Sequence, residues 1–165
     1  MIDKSTENKY NCNTNYGGAI MKNRYRYYNA NPFGKIVDDC WLRSICTGEG
    51  RPYQEVGIEM STMAIKEGYV PGDAKFIDKY LKQHGWVKQK QPIKSNGKKY
   101  TIKEFLDISE LKCHCIVNAG NCHLTYFDDG YVYDIFDCTD RIMNSFYVPE
   151  DELENINKMW NKLKK

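Results

Sequence analysis

The chain has 165 residues, 41% of them hydrophobic and 13% aromatic, enough apolar side chain for one packed domain and too much for a disordered one. A formal net charge of +2 argues against duplex nucleic acid as a partner. No apolar run approaches the ~18 residues of a membrane-spanning helix and no signal-peptide core is visible, so a cytoplasmic protein with no membrane association is expected. In that setting the seven cysteines are expected as reduced thiols, most of them small buried residues.

Residues 1–22 are polar and rich in Asn, and read as a poorly ordered arm ahead of a single domain over 23–165. Tyr25-Arg26-Tyr27-Tyr28 reads as an edge strand or anchoring segment rather than a base-stacking platform, and Asn31-Pro32-Phe33-Gly34 as a turn. Asp38 or Asp39 can cap a short helix that opens at Cys40 and carries Trp41, Leu42 and Ile45. A second helix follows Pro52, and a third runs from Asp73 through Phe76, Ile77, Tyr80 and Leu81 to Gly85. Thr101 and Glu104 form a capping box before Phe105 and Leu106. After Lys112 the pattern changes to strands: Cys115–Val117, His123–Phe127, Tyr131–Asp137 and Ser145–Val148, with a hairpin turn at Asp128-Asp129-Gly130. Pro149 opens a last helix through Leu153, Ile156, Met159, Trp160 and Leu163. Helices first and antiparallel strands second define an α+β fold.

Chemistry concentrates in two places. Cys40 stands in the first turn of its helix, where the helix dipole favours a thiolate, the nucleophilic form of cysteine. A thiol enzyme also needs a base on the nucleophile and a third group to hold that base. His84 reads as a helix-end or surface residue and His114 as the start of a strand, whereas His123 opens a strand whose hairpin partner returns carboxylates to it. A three-residue loop at 128–130 puts Asp137 on the face of His123, and a two-residue turn puts Asp134 there instead; Asp137 is the preferred orienter and Asp134 the alternative. The oxyanion of a tetrahedral intermediate would meet the Cys40 amide and a second donor from upstream, for which Asn31 is the nearest amide side chain.

These stretches carry a resemblance. Asn31-Pro32, Asp39-Cys40-Trp41-Leu42-Arg43-Ser44-Ile45, Thr47-Gly48, Glu104-Phe105, His123-Leu124-Thr125 and Tyr133-Asp134-Ile135-Phe136-Asp137-Cys138 resemble a family of small papain-like cysteine peptidases of tailed phages and gut Firmicutes. More distantly, the Cys40 stretch is similar to the nucleophile helix of ovarian-tumour-type deubiquitinases, and the His123…Asp137 hairpin to that of transglutaminase-like enzymes. The resemblance implies a papain-like domain: a helical part with the nucleophile helix, a small antiparallel sheet, and a C-terminal helix. It implies a cysteine peptidase or isopeptidase working through a thioester, with Cys40, His123 and Asp137 as triad, no cofactor, and a protein or peptide substrate. It also places the protein in a bacterial or phage-infected cell.

Two other readings of the same residues are open. One is a catalytically inactive papain-like binder or inhibitor of phage origin. The other is a zinc module, with Cys113, Cys115, Cys122 and His123 as four nitrogen and sulfur ligands.

Overall fold

The computed structural model describes residues 23–109 and 114–163. The arm expected over 1–22 and Cys113 of the zinc reading lie outside them. In chain order the elements are β1 (Tyr25–Tyr27), α1 (Cys40–Glu49), α2 (Tyr53–Lys66), α3 (Ala74–Gln83), β2 (Trp86–Gln89), α4 (Ile102–Ser109), β3 (Cys115–Ala119), β4 (His123–Asp128), β5 (Tyr131–Asp134), β6 (Met143–Pro149) and α5 (Leu153–Leu163). The described residues thus form a mixed α/β structure of five α-helices and one six-stranded sheet, ordered β1-β5-β4-β3-β6-β2. No described helix is long and apolar enough to cross a membrane.

The sheet is buried on both faces. Residues alternate along a strand, so neighbours in sequence serve opposite layers. On β3, Cys115, Val117 and Ala119 pack with Phe105, Leu106 and Ile156 of α4 and α5, while Ile116 between them faces Leu42, Ile45, Met60, Phe76 and Leu81 of α1, α2 and α3. Helices therefore cover the sheet from both sides. The expected order of helices followed by strands holds only in part: β1 precedes α1, β2 lies between α3 and α4, and the sheet lies between two helical layers.

Local chemistry sets the element ends much as the sequence suggests. Asp73 caps α3 by accepting from the Lys75 and Phe76 amides at 2.8 and 3.3 Å. The Thr101 amide donates to Glu104 at 2.9 Å and the Glu104 amide returns to Thr101 Oγ1 at 3.2 Å, the two halves of a capping box. Gly48 lets α1 settle on the sheet: a Cβ there would stand 3.0 Å from the Trp86 ring and 3.2 Å from Ile116. A 3₁₀ turn over Glu150–Glu152 intervenes between Pro149 and α5.

Three features of the sheet bear on the site. Tyr25–Tyr27 is indeed an edge strand, and it pairs parallel to β5. Trp86–Gln89 is a further strand, on the opposite edge against β6; its alternation is too short to register in the sequence. Most important, β5 ends at Asp134 and does not continue to Asp137. The β4–β5 turn is Asp129-Gly130, with φ of 46° and 84°, the primed geometry of a two-residue hairpin.

Candidate active site

Strand register decides which carboxylate serves His123. β4 and β5 pair as Phe127↔Val132 and Tyr126↔Tyr133, so continuing the ladder sets Asp134 opposite Thr125 and on the face of His123. Asp134 Oδ2 lies 2.6 Å from His123 Nε2, with both side chains buried. Asp137, the preferred orienter from sequence, instead accepts from the Thr139 hydroxyl at 2.6 Å and the Thr139 amide at 3.0 Å. The physical reason is the tight turn, which shifts the ladder by one residue and exchanges the two faces.

Cys40 is the first residue of α1 and meets the start of β4. Its thiol lies among the His123 ring and the backbone amides of Leu124 and Trp41, each of which favours the thiolate. With Nε2 held by Asp134, Nδ1 is the ring nitrogen left for the thiol. Burial of Cys40 acts to raise its pKa, but the hydrogen bonds and positive charge of His123, with the Leu124 and Trp41 amides, reverse this and hold the thiol below its ordinary value. Burial alone would discharge His123; its hydrogen bonds to Asp134, Cys138 and Cys40 and the Asp134 charge override that and push it up to about 11. The buried Cys46 makes the contrast within one helix: burial pushes it up to about 11, as expected of an inert structural thiol.

Behind Cys40, His123 and Asp134 lies a buried ionic network that the sequence reading did not assemble. Arg43, one turn along α1 from Asp39, forms an ion pair with Asp39 Oδ1, and its other terminal nitrogen lies 4.0 Å from Asp134 Oδ1. Asp39 Oδ2 accepts from the Tyr53 hydroxyl at 2.6 Å and from Asn31 Nδ2 at 3.2 Å. Asn31 therefore holds Asp39; its side-chain amide is committed to Asp39 and Tyr53, and its Oδ1 accepts from the Phe33 amide. The expected oxyanion role for Asn31 gives way to a structural one. Asp39 stands at the N-cap position of α1 without a side-chain cap bond, because its carboxylate is turned to Arg43 and Tyr53. The first amides of α1 are thereby left for another acceptor. The only sequence signal for this network was the four-residue spacing of Asp39 and Arg43 beside the thiol.

Cys40, His123 and Leu124 share a cleft of about 270 Å³ with Trp41, Gly72, Ile77, Asp78, Asn118 and Tyr147. Trp41 sits at its wall, as a shield for the pair would, and Gly72 is where a Cβ would press within 3.1 Å of the indole nitrogen. Phe136 covers the outer side of the imidazole, with ring centroids 4.7 Å apart.

The other histidines lie elsewhere. His84 ends α3, stacks on Tyr80 and bonds Glu49 at 2.9 Å; His114 packs edge-on to Trp86. The zinc reading does not assemble either. Cys115 pairs with Phe127 and His123 with Ala119, opposite ends of one ladder and roughly 13 Å apart at 3.3 Å per residue. Cys115 is also buried in the α4–α5 core while Cys122 is exposed. A different trio, His123, Asp134 and Cys138, brings three donor atoms within 4.8 Å of one another. Its Nε2–Oδ2 separation of 2.6 Å is that of a direct hydrogen bond. Two ligands of one zinc ion, with bonds of about 2.1 Å, would stand roughly 3.4 Å apart.

No protein-family model, characterised protein or solved structure matches the chain. Function must therefore be argued from the site.

Proposed function

We propose that the protein is a cysteine hydrolase of papain-like design that cleaves peptide or isopeptide bonds through a thioester, with Cys40 as nucleophile, His123 as base and then acid, and Asp134 as the group that holds the imidazole. The observation that carries this reading is the relay Cys40–His123–Asp134, closed by a 2.6 Å contact between buried His123 and Asp134 and opening onto a cleft. A thiol at the first turn of a helix, an imidazole at the start of a central strand and a carboxylate on the next strand are what acyl transfer needs. The family resemblance of the Cys40 and His123 stretches agrees with it, with Asp134 in the role expected of Asp137.

In this mechanism the Cys40 thiolate adds to the scissile carbonyl carbon and the carbonyl electron pair moves onto oxygen. Protonated His123 then gives its proton to the leaving amine, and the C–N bond breaks to leave a thioester. Water, deprotonated by the now neutral His123, adds to the thioester and releases the acid and the Cys40 thiolate. Asp134 keeps the ring oriented and stabilises its charged form throughout. The Cys40 amide at the α1 N-terminus is one donor for the oxyanion.

The test is the pH dependence of Cys40 alkylation by iodoacetamide, read site by site by mass spectrometry in wild type and His123→Ala. Fast labelling at pH 6 that is lost in the variant is the expected result. Labelling with an ordinary thiol midpoint, indifferent to His123, would remove the enzyme from consideration.

A further inference from the structure

A tetrahedral intermediate on Cys40 needs a second hydrogen-bond donor beside the helix N-terminus, and Asn31 is not available for it. One other side-chain amide in the cleft answers the need. Asn118 lines the same cavity as Cys40, His123 and Leu124. It is the ladder partner of Leu124, whose backbone amide touches the Cys40 thiol, and directly opposed residues of an antiparallel pair carry their side chains on one face ~5 Å apart. By alternation Asn118 shares the face of Ile116, which is the face α1 covers.

Its orientation is unusual. Asn118 Oδ1 is buried with no hydrogen-bond partner. The amide is planar with its two ends diverging, so an inward carbonyl turns the NH₂ group towards the cleft. A buried carbonyl without a partner costs free energy, and nothing in the fold of β3 recovers it. The ladder is also irregular at this point: against β6, Val117 pairs with Phe146 but Ala119 pairs with Met143, so β6 carries an extra residue across Asn118. Such bulges re-aim a side chain and occur beside active sites.

We propose that Asn118 is a catalytic residue, the side-chain donor that completes the oxyanion hole with the Cys40 backbone amide. The inference rests on the cysteine-hydrolase reading above, and it assigns the second donor to strand β3 instead of the upstream loop. Its Nδ2 donates to the carbonyl oxygen as negative charge builds there, and has little to offer in reactions that generate no oxyanion.

That distinction supplies the experiment. p-Nitrophenyl acetate acylates a thiolate through an oxyanion: sulfur adds to the ester carbon, the C=O pair moves to oxygen, and collapse expels p-nitrophenolate to leave an S-acetyl thioester. Iodoacetamide alkylates by direct displacement of iodide and forms no oxyanion. Both rates are read at Cys40 by mass spectrometry, with exposed Cys122 on the same cleft as internal reference, in wild type, Asn118→Ala and the uncharged, similarly sized Asn118→Leu. Removing one oxyanion donor costs ~10²–10³ in rate. We expect Cys40 acylation to fall by about that factor in both variants while its alkylation and both Cys122 rates hold.

If acylation and alkylation at Cys40 fall together, Asn118 positions the thiol and the proposal is overturned. If acylation is unchanged in either variant, Asn118 is no donor and the proposal is likewise overturned. Failure of the underlying reading would show separately, as wild-type Cys40 alkylation no faster than that of Cys122 and indifferent to His123→Ala.

Discussion

Asp134 Oδ2 reaches His123 Nε2 at 2.6 Å because β4 and β5 are joined through only Asp129 and Gly130. Both turn residues hold positive φ, which Gly adopts freely and Asp tolerates. The turn thus fixes a register, and the register selects the carboxylate.

The two aspartates should separate cleanly on substitution. Asp134→Asn leaves a neutral amide on the imidazole and is expected to lower Cys40 acylation on the order of 10³- to 10⁴-fold, as loss of the orienting carboxylate does in triads. Asp137→Asn touches only the Thr139 loop, and Cys40 should react as in wild type. Acylation rates of the two variants check this, and a larger loss for Asp137→Asn would return the orienter to the position preferred from sequence.

The pH behaviour follows from the directions of two shifts. Cys40 is held below the ordinary thiol value and His123 is pushed up to about 11, so thiolate and imidazolium coexist between those limits. Alkylation of Cys40 should show its acid limb well below that of Cys122, and amide turnover should fall only as pH approaches about 11, where the imidazolium that protonates the leaving group is lost. The stability contributions have opposite signs. The raised pKa of His123 stabilises the fold fully below 6.5, its unfolded reference, and ever less as pH climbs towards the folded value. The lowered pKa of Cys40 stabilises above the ordinary thiol value and is lost as pH falls through the folded one. Urea unfolding in a Cys40→Ala background isolates the His123 contribution, which should decline as pH rises above 6.5.

Arg43 sits between two buried carboxylates, and its removal leaves Asp39 without a cation while Asp134 keeps His123. Taking one partner from a buried ion pair costs about 3–5 kcal/mol, so Arg43→Met should lower the urea midpoint sharply. Adding Asp39→Asn removes the charge that Arg43→Met leaves unpaired, and should recover part of that loss. If the double variant is as unstable as the sum of the single ones, the two residues do not act as a pair.

Gly48 lets α1 lie close against the sheet. Gly48→Ala sets a methyl 3.0 Å from Trp86 and 3.2 Å from Ile116, both held in the core. Overpacking of this kind costs about 1–3 kcal/mol, which exceeds the helix propensity gained. Thermal unfolding should shift down, with the Cys40 alkylation rate as a second readout of whether α1 has lifted from β4.

The sequence spoke clearly where chemistry is local. Cys40 at a helix start, the Thr101–Glu104 box, Asp73 as a cap and the His123 strand are each legible within a few residues, since caps and alternation are short-range signals. What it did not carry is register and side-chain commitment. Asp134 and Asp137 differ by one residue of turn length, and Asn31 is free or committed according to whether Tyr53, on another helix, reaches Asp39. β2 is missed because four residues hold too little pattern, and Asn118 because a lone Asn on a strand carries no motif until its neighbours are known.

Strand β1 gives the hairpin a mechanical role. It runs parallel to β5 for three residues, pairs Tyr27 with Asp134, and hands on to Tyr28, whose amide bonds the Asp134 carbonyl at 2.8 Å. A load on β1 is therefore borne along β5 from Val132, in the core, to Asp134, the residue that steadies the imidazole.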